Sequence, residues 1–306
     1  MASPRGVAEP PPLIVRGETV DLSEPVLMGI VNATPDSFSD GGRYPTARAR
    51  IDLAVELVEA GARIVDVGGQ SGITGVPEIS IADEIARIVP VIEGICAAVP
   101  QALISVDAYR PPVVQVALDA GASIVNDISG LAYPKVADLC ATVGAGLVIM
   151  HTRAQPKVKV LDPTLYGDDD DVTADVVGFL ADRLATAQSR GVRPETTIID
   201  PGPDFAKTPH QTVRVLRDID RLRPLRRPLL LALSRKDFVG AITGRKPRDR
   251  LGGTLAAIGH VLHLPGVILR VHDVDVVADY LRVAAVLAGR AELPRDAALA
   301  EHLRCQ

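Results

Sequence analysis

Eight short apolar runs, each ending in a polar or glycine-rich turn and followed by a stretch with helical spacing, constrain this chain more than any other feature. The runs are Val26–Asn32, Arg63–Gly68, Ala102–Asp107, Ser123–Ile128, Gly146–His151, Thr197–Asp200, Pro228–Ser234 and Val267–His272. Each is rich in Val, Ile or Leu, the pattern of a strand buried on both faces of a parallel sheet. Between them apolar residues recur three and four apart, as in Ile51, Ala54, Val55, Leu57 and Val58, then Ile85, Ile88, Val89 and Ile92. That spacing lays one apolar stripe along a helix. Gly61, Gly121 and Gly191 stand where such helices end, a position that favours a left-handed cap. Eight βα units over about 250 residues predict an α/β chain folded as a single (β/α)8 TIM barrel, rather than an open doubly wound sheet.

No mid-chain linker divides the 306 residues. Val15-Arg16-Gly17-Glu18-Thr19 reads as a short N-terminal β-hairpin that plugs the base of the barrel. Residues 1–12 are Pro-rich and expected to be disordered, 13–290 form the barrel, and 291–306 are a tail. Hydrophobic residues make up 47% of the chain, enough for a sizeable core. A net charge of −5 supplies no cationic field for nucleic acid, and the acidic run Asp168–Asp171 reads as a solvated loop. No stretch approaches the ~18 apolar residues of a membrane span. Cys96, Cys140 and Cys305 have neither metal-ligand spacing nor an even count, which points to a reducing, cytoplasmic setting. The apolar helix Val276–Leu287 could serve a homodimer.

A barrel of this kind gathers its functional side chains at the C-terminal ends of its strands. Those ends carry Asn32, Asp66-Val67-Gly68-Gly69-Gln70-Ser71, Asp107, Asn126-Asp127, His151, Asp200-Pro201-Gly202, Ser234-Arg235-Lys236 and Arg270-Val271-His272-Asp273. Singly, an Asp after a strand is commonly a helix N-cap, and a His in an apolar run is commonly a packed core residue. Eight strand ends in agreement describe a site.

Within Leu27–Gly42 an apolar run stops at Asn32 and passes through Thr34-Pro35-Asp36-Ser37 to Gly41-Gly42, a strand leading into a phosphate-friendly loop. This string closely resembles the opening signature of dihydropteroate synthases, pterin-binding enzymes of folate synthesis. The resemblance spans roughly residues 25–290, through Asp66-Val67-Gly68-Gly69, Ser105-Val106-Asp107, Val125-Asn126-Asp127-Ile128, Ile199-Asp200-Pro201-Gly202, Phe205-Ala206-Lys207-Thr208, Ser234-Arg235-Lys236, Gly253-Thr254-Leu255-Ala256-Ala257 and Arg270-Val271-His272-Asp273. It implies condensation of a dihydropterin-CH2-diphosphate with p-aminobenzoate, the diphosphate leaving first to give a methylene cation. Asp107, Asp200 and Lys236 are then the catalytic candidates. Asp200 would accept two adjacent N–H donors of the pterin edge in a fork, and Asn126 would read the rim as donor and acceptor. Asp107 would stabilise the cation, Lys236 would donate to the ring, and Phe205 would face it. Asn32, Arg270 and His272 suit the diphosphate, with Mg2+ shared between Asn32 and phosphate oxygens.

Three departures stand out. Where the family usually reads Gly-Gly-Glu-Ser-Thr-Arg-Pro-Gly, this chain reads Gly69-Gln70-Ser71-Gly72-Ile73-Thr74-Gly75. Asp237 follows Lys236 where serine is typical, and Pro203-Asp204-Phe205-Ala206 replaces a Gly-rich run. Ser71, Gly72, Ile73, Ser234 and Asp237 are the amine-side candidates. Ile73 removes a guanidinium and Asp237 adds an anion where a carboxylate should bind. Either the loop is rebuilt, with Arg153, Lys157 or Lys159 supplying charge, or the chain is a paralogue that binds pterin diphosphate but uses another arylamine or is inactive with p-aminobenzoate. A pterin-dependent methyltransferase would need neither the Asn32 loop nor the Arg270/His272 pair.

Overall fold

The computed structural model describes residues 12–33, 46–70, 77–167 and 171–304. A two-stranded antiparallel hairpin, β1 (Leu13–Val15) and β2 (Glu18–Val20), precedes the barrel. The barrel strands are β3 (Val26–Asn32), β4 (Ile64–Gly68), β5 (Leu103–Asp107), β6 (Ile124–Asp127), β7 (Gly146–Met150), β8 (Thr197–Asp200), β9 (Leu229–Leu231) and β10 (Val267–Val271). They close in the order β10-β3-β4-β5-β6-β7-β8-β9. The outer helices are α1 (Ala47–Glu59), α2 (Ile81–Ala98), α3 (Pro111–Asp119), α4 (Lys135–Val143), α5 (Val172–Ser189), α6 (Pro209–Arg217), α7 (Asp237–Thr243), α8 (Leu251–Val261) and α9 (Val274–Leu287).

Local chemistry sets these boundaries. Thr46 and Ser80 accept the N–H groups of Ala49 and Asp83, capping α1 and α2, and Thr208 with Gln211 forms a capping box on α6. Asp171, the described end of the acidic run, caps α5 and pairs with Arg221. Gly61, Gly121 and Gly191 adopt φ of +113°, +116° and +88°, as their place after helices requires. All eight expected strands form. β9 alone is markedly shorter than its apolar run, because Ala232 and Leu233 leave the ladder to enter the Ser234–Lys236 turn, where Arg235 takes φ +59°.

Strand period sorts the interior into layers, since every second residue faces the barrel axis. Met28, Ile64, Leu103, Ile124, Val148, Ile198, Leu230 and Ile268 form the lowest layer, and Leu13, Val15 and Val20 of the hairpin close it from below. Arg16 holds the hairpin in place by donating to the carbonyls of Leu118 (2.7 Å) and Ala122 (2.8 Å). Two residues further along the strands lie Asp66, Ser105, Asn126, Asp200 and Arg270, a polar floor above an apolar plug. The next step brings Asn32, Gly68 and Asp107, level with one another in register.

Residues of the opposite phase, including Val65, Val67 and Val106, pack against the helices as the main core. No helix among the described residues is long and apolar enough to cross a membrane. Cys140 is buried, Cys96 is half-buried and both are free thiols, whereas Cys305 lies outside the described residues. Helix α9 leaves Val283 and Leu287 exposed.

Candidate active site

The polar floor is organised by one carboxylate, which carries no assigned role among the strand-end residues above. Asp66 is fully buried, and its Oδ2 accepts from Arg270 Nε at 2.6 Å and from Asn126 Nδ2 at 3.2 Å. Arg270 Nη2 also donates to Asp107 Oδ2 at 3.2 Å. Expected as a diphosphate ligand, Arg270 therefore bridges two acids at the barrel mouth. Its burial opposes the charge, but Asp66 and Asp107 hold the guanidinium above its ordinary value. Burial pushes the Asp107 carboxyl up, against the pull of Arg270. Asp66 Oδ1 and Asn126 Oδ1 are buried acceptors with no hydrogen-bond partner among the described residues. With its amide nitrogen committed to Asp66, Asn126 presents oxygen to a ligand. The clue to Asp66 was an ionisable side chain inside an apolar strand, in phase with Ile64 and Gly68.

On the far side, Asp200 Oδ1 accepts the Gly202 N–H at 2.7 Å. Burial raises its carboxyl to about 6, opposed by that bond and by Lys236, Lys207 and Arg270. Lys236 Nζ lies 4.5 Å from the centre of the Phe205 ring, a cation–π contact that fixes the two side chains together. Burial lowers the Lys236 ammonium, while Asp204 and Asp200 oppose the shift. In place of the usual glycines, Asp204 and Ala206 take φ of +64° and +48°. Asp204 offsets that strain by accepting from Thr212 Oγ1 (3.1 Å) and from the Asp237 N–H (2.5 Å).

At the upper rim, Ser234 Oγ lies 3.0 Å from His272 Nδ1 and accepts the His272 backbone N–H at 3.4 Å. Burial, with the charges of Arg235, Arg270 and Lys236, lowers His272 to about 3, so the ring is neutral. With its oxygen already accepting, Ser234 directs its own proton to Nδ1, which leaves the imidazole proton on Nε2 as a donor to an anion. Asp273 anchors Arg235 through two bonds of 2.6 and 3.2 Å. Arg250, which sequence reading did not single out, donates to the carbonyls of Arg235 (2.9 Å) and Lys236 (3.0 Å) and to Asp237 Oδ1 (3.0 Å). Asn32 is half-buried at the end of β3.

The Asp237 carboxylate is thus paired, and it is 69% exposed, so Arg250 and solvent share its charge. A cleft beside Phe205 is lined by Tyr109, Thr152, Lys157, Lys159 and Asp237. Arg153 is instead bound to Asp175, with Nε 2.9 Å from Oδ2. Ser71, Gly72 and Ile73 lie outside the described residues. His151 is fully buried, in the opposite strand phase, and faces α5 as a core residue.

Residues 28–272 match the family described as pterin binding enzyme. A dihydropteroate synthase from Synechocystis is 38% identical over 284 residues, 91% of this chain and 96% of that protein. Dihydropteroate synthase from Xanthomonas albilineans, solved with 4-aminobenzoic acid, aligns with a TM-score of 0.82 at 36% identity, covering 93% of this chain and 100% of that one. The Yersinia pestis enzyme, solved with a sulfonamide drug, aligns at 0.83 and 32% identity, covering 92% and 100%. With the barrel, the polar floor and these similarities pointing one way, the chain belongs to the pterin-binding enzyme family, among the dihydropteroate synthases.

Proposed function

We propose that the barrel mouth condenses 6-hydroxymethyl-7,8-dihydropterin diphosphate with p-aminobenzoate, giving dihydropteroate and free diphosphate. The observation that carries this reading is the buried floor of Asp66, Asn126, Asp200 and Arg270, in which Asp66 Oδ1 and Asn126 Oδ1 are without partners among the described residues, above an apolar layer. A buried acceptor left unpaired is costly, and the amino-pyrimidinone edge of a pterin supplies the matching donors. Asp200 takes two of them and Asn126 Oδ1 another. Lys236 donates to the ring, and Phe205 lies against it.

The C–O bond to diphosphate then breaks, with its electron pair leaving on oxygen and positive charge spreading from the methylene carbon into the ring. Asp66, Asp107 and Asp200 line the mouth with carboxylate oxygens that are already in place before that charge develops. His272 Nε2–H and the Asn32 amide face the leaving group. The amine nitrogen attacks the methylene carbon, forms the new C–N bond and gives up its proton to solvent water, with no covalent enzyme intermediate.

A Mg2+ ion suits the Asn32 end of this site, because Mg2+ is commonly held by few protein oxygens together with substrate phosphates. The Asn32 amide oxygen would be its protein ligand, and the ion would neutralise charge on the diphosphate.

The arylamine enters by the cleft over Phe205, where Lys157 and Lys159 supply the positive charge for its carboxylate. Sulfonamides, bound by the Yersinia pestis relative, should compete there. Pairing of Asp237 with Arg250 weakens the case for an enzyme hostile to carboxylates. Free thiols at Cys96 and Cys140 fit a cytoplasmic setting. Incubation with both substrates and mass detection of dihydropteroate tests the assignment; no dihydropteroate from a folded protein refutes it.

A further inference from the structure

Lys207 is the largest fully buried side chain among the described residues, 1% exposed, and the chemistry above does not use it. Its ammonium directs its donors to His151 Nδ1 (2.7 Å), Gly202 O (3.0 Å) and Phe205 O (3.2 Å). A buried ammonium is tolerated only when its donors are satisfied in this way. Gly202 O also accepts the Phe205 N–H at 3.1 Å, while the Gly202 N–H is held by Asp200. One ammonium therefore pins both ends of the Gly202–Phe205 turn, and the Gly202 N–H ties that turn to the Asp200 carboxylate. That turn lies hard against β7: a Cβ on Gly202 would stand 2.1 Å from the His151 carbonyl oxygen.

Behind Lys207 the contacts continue outward. His151 Nε2 lies 2.9 Å from Asp175 Oδ2, and Asp175 also binds Arg153, whose side chain is 45% exposed. Burial and the Lys207 charge hold His151 neutral, at about 3. Its Nδ1 therefore accepts from the ammonium, and its Nε2–H donates to Asp175.

We propose that Lys207 is a positioning residue for pterin binding: through the Gly202 and Phe205 carbonyls it fixes the turn that aims Asp200 and Phe205, and His151 with Asp175 hold it there. This inference rests on the pterin reading of Asp200. Burial lowers Lys207 to about 7, opposed by Asp200, Asp175 and Asp204, with Lys236 adding to the fall. The groups acting on Asp200 are Lys236, Lys207 and Arg270. Removing the Lys207 charge leaves Asp200 protonated to higher pH, a consequence that a purely space-filling lysine would not have.

The test is calorimetric binding of 6-hydroxymethylpterin across pH, using the full chain as wild type, Lys207→Met, Asp175→Ala and Asp200→Asn. Lys207→Met is expected to weaken binding tenfold or more at neutral pH and to move the acid limb upward by half a pH unit or more. Asp175→Ala, altered at the half-exposed end of the chain of contacts, is expected to weaken binding three- to tenfold, and it decides the matter alone if Lys207→Met does not fold. Folded variants that bind within twofold of wild type, with an unmoved limb, overturn the inference while binding lost in Asp200→Asn leaves the pterin reading standing. A wild type that does not bind the pterin overturns that reading and the inference with it.

Discussion

Arg270 Nε stands 2.6 Å from Asp66 Oδ2, a bond between residues 204 positions apart that spans from β10 to β4 over the intervening strand. The same carboxylate oxygen orients Asn126. One buried acid thus sets both the guanidinium at the mouth and the amide that reads the ligand, and this ties stability to recognition.

Replacing Arg270 should therefore affect more than phosphate binding. Arg270→Ala leaves Asp66 as an uncompensated buried charge, an error worth roughly 3–5 kcal/mol when one partner of a buried pair is removed. Thermal unfolding should drop accordingly, and affinity for both hydroxymethylpterin and its diphosphate should fall. His272→Ala should weaken the diphosphate alone. Selective loss of the diphosphate in Arg270→Ala would show that the bridge to Asp66 is dispensable.

Asp200 is held ionised in the floor at the expense of stability. Because burial raises its carboxyl from 3.8 to about 6, the native state binds this proton more tightly than the unfolded chain does. Its contribution to stability therefore falls as pH rises between those values, by about 3 kcal/mol at neutral pH. Asp200→Asn should unfold at an equal or higher temperature, yet lose about 2–4 kcal/mol of pterin binding through a mismatched donor. In the wild type, pterin affinity should decline below pH about 6. Calorimetry and thermal melts of one preparation check both halves.

The amine pocket yields a contrast between two charges. Asp237→Ser should change KM for p-aminobenzoate less than twofold, since Arg250 already neutralises Asp237. Lys157→Ala should raise that KM about two- to fivefold, as expected for a partly solvated ion pair worth up to ~1 kcal/mol, and leave an uncharged arylamine unaffected. Steady-state kinetics with both amines separate the two. A large gain from Asp237→Ser would mean that the carboxylate does meet Asp237.

Two glycines with positive φ should respond differently to the same substitution. Gly244 (φ +68°) has open space where a Cβ would go, so Gly244→Ala should cost about 1 kcal/mol of backbone strain. Gly202 (φ +65°) would drive a Cβ into the His151 carbonyl, so Gly202→Ala should cost several times more and lose pterin binding. Denaturant melts of the pair measure the difference.

The strands and their polar ends were legible because local periodicity and strand-end chemistry are written in adjacent residues. The phase that separates neighbouring polar residues was harder to read. Asn126 and Asp200 face the axis, whereas Asp127 turns back to Ser129 and His151 packs toward α5. Asp66 was visible only as part of a string, since its role comes from β6 and β10. Lys207 with His151, 56 positions apart, and Arg250 with Asp237, 13 apart, are joined only by tertiary packing. In the sequence Asp237 is a bare anion beside Lys236, and its ion pair with Arg250 comes only with the fold.

The most direct measurement is diphosphate release from the pterin diphosphate, followed with and without p-aminobenzoate at constant Mg2+. Sustained release that depends on the amine, with one dihydropteroate formed per diphosphate, is the expected result. Tight pterin-diphosphate binding with no amine-dependent release would contradict the assignment and identify a binding protein on an enzyme's fold.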